Sequence, residues 1–175
     1  SNYCFKNNGD YTFTNVAKKW GLDLVSQSNG VAYADFDNDG DLDLFIGERM
    51  VPLKYGLPCS GFILENDGKG NFTDITSLKS SDLQNIGMIT SAVFQDLDND
   101  GDEDLLVTGE FMGIEIFINE NGSFTRKKDN ALSDLKGWWN TIYQTDIDND
   151  GDLDLILGNH GLNSMFRASK ENPIT

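Results

Sequence analysis

Three nine-residue stretches concentrate the chemistry of this chain: Asp35-Phe36-Asp37-Asn38-Asp39-Gly40-Asp41-Leu42-Asp43, Asp96-Leu97-Asp98-Asn99-Asp100-Gly101-Asp102-Glu103-Asp104 and Asp146-Ile147-Asp148-Asn149-Asp150-Gly151-Asp152-Leu153-Asp154. Together they hold 16 of the 29 acidic residues. Carboxylates crowded into so short a turn repel one another unless a cation sits among them. Asp occupies positions 1, 3, 5 and 9 of every copy, and Gly at position 6 permits the sharp turn that wraps ligands around an ion. Oxygen-only donors on a flexible loop favour Ca²⁺ over Mg²⁺ or zinc. Position 7 (Asp41, Asp102, Asp152) is expected to offer its backbone carbonyl, and Asn38, Asn99 and Asn149 at position 4 to shape the turn. An EF-hand would need Glu at position 12, where Ile46, Val107 and Leu157 stand instead. The alternative is a solvated acidic turn without metal; three matching copies weigh against it. Three ions would add +6, moving the formal charge from −16 to −10.

Short apolar runs must position these loops. Val31-Ala32-Tyr33-Ala34, Ser91-Ala92-Val93-Phe94 and Thr141-Ile142-Tyr143-Gln144 precede them; Leu44-Phe45-Ile46-Gly47, Leu105-Leu106-Val107 and Leu155-Ile156-Leu157-Gly158 follow. Such runs read as buried strands. A second motif recurs as NNGDYTFT (7–14), NDGKGNFT (66–73) and NENGSFT (119–125), each after a short alternating run. Its Asn/Asp-Gly centre tolerates positive φ, and the Phe-Thr beyond it resumes an extended chain, so it reads as a β-hairpin. The loops recur after 61 residues (35 to 96) and 50 residues (96 to 146), the signature of a repeat architecture. Each repeat is therefore expected to run hairpin, connector, then strand–acidic loop–strand. Helix is expected nowhere beyond a turn at 16–20 or 130–136. Four-stranded units in tandem stack as propeller blades, about 4–8 to a ring. The expected fold is all-β: a β-propeller segment of about three four-stranded blades, roughly 1–61, 62–113 and 114–175, forming part of a larger ring. Residues 162–167 read as the start of a fourth hairpin.

Composition narrows the function. A sequence pI near 4.1 argues against nucleic acid and anionic membrane surfaces, since nothing would neutralise a row of phosphates. No apolar run approaches the ~18 residues of a membrane span. Cys4 and Cys59 read as free thiols packed like small hydrophobes, with one disulfide as the alternative. Catalysis by paired carboxylates needs two groups with different pKa values, whereas these clusters are triplicated and alike; no catalytic residue is assigned. His160, in Gly158-Asn159-His160-Gly161, reads as a turn residue or hydrogen-bond partner. Trp138-Trp139 and Trp20, placed just before strands, are expected to pack between blades; the alternative is stacking on a sugar or a protein partner. The 48–61 connection, with Pro52 and Pro58, reads equally as a contact site or a strap between blades.

The DxDxDGxxD loop followed by an apolar strand and Gly, repeated with NxxGxFT hairpins, resembles the FG-GAP/VCBS repeats of integrin-alpha-type β-propellers. The segments from Arg49-Met50-Val51-Pro52 to Asn66-Asp67-Gly68, and Gly158-Asn159-His160-Gly161-Leu162-Asn163-Ser164, are similar to bacterial VCBS-repeat or ASPIC/UnbV-related proteins. The resemblance covers nearly all of the chain. It implies a ring of seven or so blades, so that this chain is a segment of one. It implies Ca²⁺ bound by four Asp side chains and the position-7 carbonyl: Asp35, Asp37, Asp39, Asp41 and Asp43; Asp96, Asp98, Asp100, Asp102 and Asp104; Asp146, Asp148, Asp150, Asp152 and Asp154. It also implies secretion or surface display, often in outer-membrane-associated proteins of Gram-negative bacteria. The resulting expectation is a calcium-binding, non-enzymatic extracellular module for protein recognition or scaffolding, partnered by remaining blades or subunits of a surface complex. A glycan-binding propeller, or one from a polysaccharide-degrading enzyme, is the alternative.

Overall fold

The structure, a computed structural model, describes residues 2–24 and 26–161. The hairpin motifs and apolar runs all become strands. β1 (Phe5–Asn7) and β2 (Phe13–Asn15) form a two-stranded antiparallel sheet. β3 (Ser28–Ala34), β4 (Asp43–Glu48), β5 (Gly61–Asn66) and β6 (Phe72–Asp74) pair antiparallel in chain order as a four-stranded sheet. β7 (Met88–Gln95), β8 (Asp104–Met112), β9 (Glu115–Glu120) and β10 (Ser123–Arg126) repeat that order. β11 (Gly137–Thr145) pairs with β12 (Asp154–Asn159), and its first residues also reach β8, where Gly137 and Trp138 lie opposite Met112 and Glu110. The chain is thus nearly all β, in sheets built alike, as a propeller-like segment requires. Residues 162–167 lie outside the described residues.

The second and third hairpins share a sheet with the strand–acidic loop–strand pair before them, whereas β1 and β2 form a sheet of their own. The register Leu44↔Leu64 to Gly47↔Gly61 joins β4 directly to β5. Linear order in a repeat cannot reveal this, because a hairpin is followed as well as preceded by a strand pair. The single α-helical turn among the described residues, Thr76–Lys79, also lies where no periodicity announces it. Its first residue is held from both sides: Asp74 Oδ1 accepts the Thr76 N–H, while Thr76 Oγ1 accepts the buried Ile63 N–H of β5. The stretch at 16–20 forms one turn, closed by Trp20 N–H donating to the Val16 carbonyl at 2.9 Å.

Successive side chains of a strand face opposite ways, and here both faces are apolar. Phe45 and Ile63 face the second sheet, meeting Ile89, Phe94 and Phe117, whereas Ile46 and Leu64 pack with Leu22 and Trp20 on the other side. The second sheet behaves likewise: Leu105 and Val107 face the first, Leu106 and Ile116 the third. The glycine ending the first apolar run has a packing reason. A Cβ built on Gly47 would stand 2.3 Å from Ile89 Cγ2. Gly47→Ala is expected to destabilise the fold by about 1–3 kcal/mol through overpacking, measured as a lower denaturation midpoint; an unchanged midpoint would show that the sheets separate freely there.

Candidate metal centres

Each acidic loop joins the first two strands of its sheet, and all three share one internal bonding plan. The position-1 carboxylate accepts the N–H groups of positions 5 and 6: Asp35 from Asp39 and Gly40, Asp96 from Asp100 and Gly101, Asp146 from Asp150 and Gly151, at 3.0–3.2 Å. The position-5 carboxylate accepts the position-7 N–H at 2.9–3.0 Å. Asn at position 4 takes φ near +60° and Gly at position 6 φ of 94–100°, so the turn needs the residue types it has.

These turns bring acids together in threes. Single oxygens of Asp35, Asp37 and Asp39, of Asp96, Asp98 and Asp104, and of Asp146, Asp148 and Asp154 lie within 4.8 Å of one another. Asp43 and Asp104 close their loops from β4 and β8, at 1% and 0% exposure. Asp43 Oδ1 accepts the Asn66 N–H at 2.8 Å, and Asp104 accepts the N–H groups of Asn119 and Leu97 at 2.8 and 3.0 Å. Asp154 Oδ2 accepts the Ile147 N–H at 3.0 Å. The position-7 carboxylates stay outside the trios, and those of the first two loops turn toward hairpins. Asp41 Oδ2 lies against Gly68, and Asp102 Oδ2 accepts the Asn121 N–H at 2.6 Å. Asp100 and Asp150 are likewise outside their trios, holding backbone instead.

The donor set fits a cation. In the first loop Asp37 Oδ1, Asp41 Oδ1 and Asp43 Oδ2 are buried without a hydrogen-bond partner, which is costly for a carboxylate unless something positive faces it. Burial, opposed by its backbone hydrogen bonds and helped by neighbouring Asp37, pushes Asp43 up to about 7 in the ion-free protein. Asp41, Glu103 and Asp104 are raised as well, each chiefly by burial. For a carboxyl raised above its unfolded value, folding takes up protons. That stabilisation is present below the unfolded pKa and lost as pH rises through the folded one. The ion-free protein is therefore expected to melt higher at pH 5 than at pH 8, and the calcium-loaded protein to show the reverse because protons compete for its ligands. Melting curves in EDTA and in calcium at both pH values check this; parallel slopes would contradict it.

Two partnerships escaped the sequence reading. Asn66 and Asn119, the first residues of their hairpin motifs, cover the acidic loops: Asn66 Nδ2 donates to the Leu42 carbonyl at 3.1 Å, and Asn119 Nδ2 to those of Glu103 and Phe36 at 3.2 and 2.7 Å. Loop and hairpin, which look like separate motifs, are one unit. The recurrence of Asn at each hairpin start was the available signal.

At the opposite end of the strands the 48–61 connection straps the first sheet to the second. Arg49 Nε and Nη2 donate to Glu110 Oε1 at 2.8 and 2.5 Å, and Tyr55 Oη donates to Oε2 at 2.5 Å. Burial, followed by the bond to Glu110, raises the Tyr55 phenol to about 12. Beside this pair Tyr55, Phe111, Trp138 and His160 form a row of ring contacts at 6.3, 5.4 and 5.2 Å. Phe111 holds φ +60°, unusual for a bulky residue. Trp138 and Trp139 lie within β11 rather than ahead of it, and alternation separates them: Trp139 joins the core between sheets, Trp138 joins the aromatic row. Cys4 and Cys59 are free thiols, both raised by burial.

Residues 1–46, 58–107 and 96–157 match the family described as FG-GAP-like repeat. Cartilage acidic protein 1 of Homo sapiens is 32% identical over 184 residues, covering 97% of this chain and 26% of its own length. The Xenopus tropicalis protein of that name is 31% identical over 176 residues, covering 91% of this chain and 25% of its own length. The chain spans about a quarter of the length of the curated relatives it matches.

Proposed function

Because the chain belongs to the FG-GAP-like repeat family, we propose that it serves as a calcium-stabilised, non-enzymatic extracellular module for protein recognition or scaffolding. The triplication carries this reading. Three acidic loops with the same internal bonds, each gathering three carboxylates and joining two strands of a sheet, suit a repeated structural ion better than a single reacting centre. Calcium there would tie the strands and neutralise the turn; its chemistry is to accept six to eight oxygens without demanding rigid geometry. Extracellular modules bind it at about 10⁻⁴–10⁻³ M, which suits a calcium-rich exterior. No helix of the described residues is long and apolar enough to cross a membrane. The relatives come from Xenopus tropicalis, Homo sapiens and Mus musculus and lend nothing to an outer-membrane location, so the proposal stops at extracellular.

Recognition would use the end of the strands away from the ions. Phe111, on β8, and Tyr55, on the 48–61 connection, are exposed there beside the Arg49–Glu110 pair, to which the Tyr55 hydroxyl is bonded. The partner would be a protein, either further blades or another subunit. The same aromatic row favours a second reading, a glycan stacked on Trp138. Capture of a protein by the immobilised chain, weakened by Tyr55→Ala with folding intact, is the expected result. Retention on a polysaccharide array, lost in Trp138→Ala or His160→Ala, would replace the first reading with the second.

A further inference from the structure

The first two acidic loops belong to different sheets, yet side chains cross between them. Asn38, at position 4 of the first loop, donates from Nδ2 to Asp102 Oδ1 of the second at 2.7 Å. Asp102 is thereby held from two sides, since its Oδ2 accepts the Asn121 N–H. Asn119 makes the return crossing. Fully buried, it donates from Nδ2 to the Phe36 carbonyl inside the first loop and to the Glu103 carbonyl inside the second, while its own N–H holds Asp104. Gly122 of the same hairpin lies against Asp37, where an added Cβ would come within 3.0 Å of the Asp37 Cβ. Between the second and third loops, among the described residues, Gln95 Nε2 donates to the Leu153 carbonyl at 2.8 Å and Asn99 makes no hydrogen bond to Asp152.

We infer that the loops 35–43 and 96–104 are one coupled unit, in which a divalent cation held by either raises the affinity of the other through the Asn38–Asp102 and Asn119 crossings. This rests on the reading of the loops as cation sites, and it adds a property that a single loop cannot have. Residues 37 and 39 flank Asn38, so an ion at the first site fixes the backbone that carries the Asn38 side chain. Fixing Asn38 fixes Asp102, at the position whose carbonyl would face the second ion. Whichever site fills first orders the shared clamp, and the second ion meets a loop already in place. Repulsion between two dications opposes this, but the carboxylates of Asp102 and Glu103 lie along the junction; Glu103 stands in the field of both Asp35 and Asp96. Coupling of this kind is reciprocal and typically about 5–150-fold; screening by two partly exposed loops puts the expectation near the lower end, about fivefold.

Calcium titration of the 175-residue chain by calorimetry, with stepwise affinities resolved, tests the inference. Asp37→Ala is expected to lower the stoichiometry from three to two and to weaken one remaining site by about fivefold. Asn38→Gly keeps the positive φ and removes the amide, so it should fold. It is expected to retain three ions, and in its background, where only the Asn119 crossing is left, Asp37→Ala should weaken the remaining site by less than in the otherwise unchanged chain. Melting curves without calcium show whether each variant is folded. Remaining affinities unaltered by Asp37→Ala in the otherwise unchanged chain would overturn the coupling while leaving the ion sites standing. A folded chain that binds no calcium would overturn the ion sites themselves, and the coupling with them.

Discussion

Stripped with EDTA and then titrated with calcium, the chain is expected to melt on the order of 10 °C higher. The size follows from mass action. At a calcium concentration about ten times Kd, each site adds RT ln 11, about 1.4 kcal/mol. Three sites add about 4 kcal/mol, and a chain of this length gains roughly 2–4 °C for each. The physical source is the set of buried oxygens without partners in the first loop, Asp37 Oδ1, Asp41 Oδ1 and Asp43 Oδ2, which repel one another until a cation faces them. Magnesium at the same concentration should do much less, because it demands near-octahedral geometry and gives up water reluctantly. Differential scanning calorimetry decides it. An unchanged melting temperature, or an equal rise with magnesium, would remove the calcium reading.

Asn119→Ala is the second large effect, expected to destabilise the protein by about 3–5 kcal/mol. Its side chain makes three bonds at full burial: two donated to carbonyls in different acidic loops, and one accepted from the Gly122 N–H at 2.8 Å. Alanine leaves a buried N–H and carbonyl groups without partners, at about 1–3 kcal/mol for each unsatisfied group. Asn66→Ala is the control. Asn66 has the same place in the first sheet, but its bond to the Leu42 carbonyl is exposed to water, which can replace it; about 1 kcal/mol is expected. Denaturant midpoints for the two variants give the comparison. Equal losses would mean that the crossing to Phe36 contributes nothing.

What the sequence determined by itself is what is local. The acidic residues of each loop lie within nine positions, and Asn, Gly and Asp adopt that turn through bonds spanning two to five residues. The hairpins are equally local, and the apolar runs stand out most where both faces of a sheet are covered, as in β3–β6 and β7–β10. Tertiary structure alone decided which strands share a sheet, since the same hairpin could close one repeat or open the next. It also decided the fate of side chains that look alike on the page. Trp138 and Trp139 are neighbours, both half-buried, yet one joins the ring cluster and the other packs against the core because successive side chains of a strand face opposite ways. Glu110 reads as an ordinary strand carboxylate until Arg49 and Tyr55, 61 and 55 residues away, fold over it. Asn119 reads as a turn former until Phe36, 83 residues away, supplies its acceptor. A short-range pattern specifies a conformation through its own bonds, whereas a buried polar side chain acquires its role only when packing of separate sheets excludes water and leaves a distant segment as its one partner.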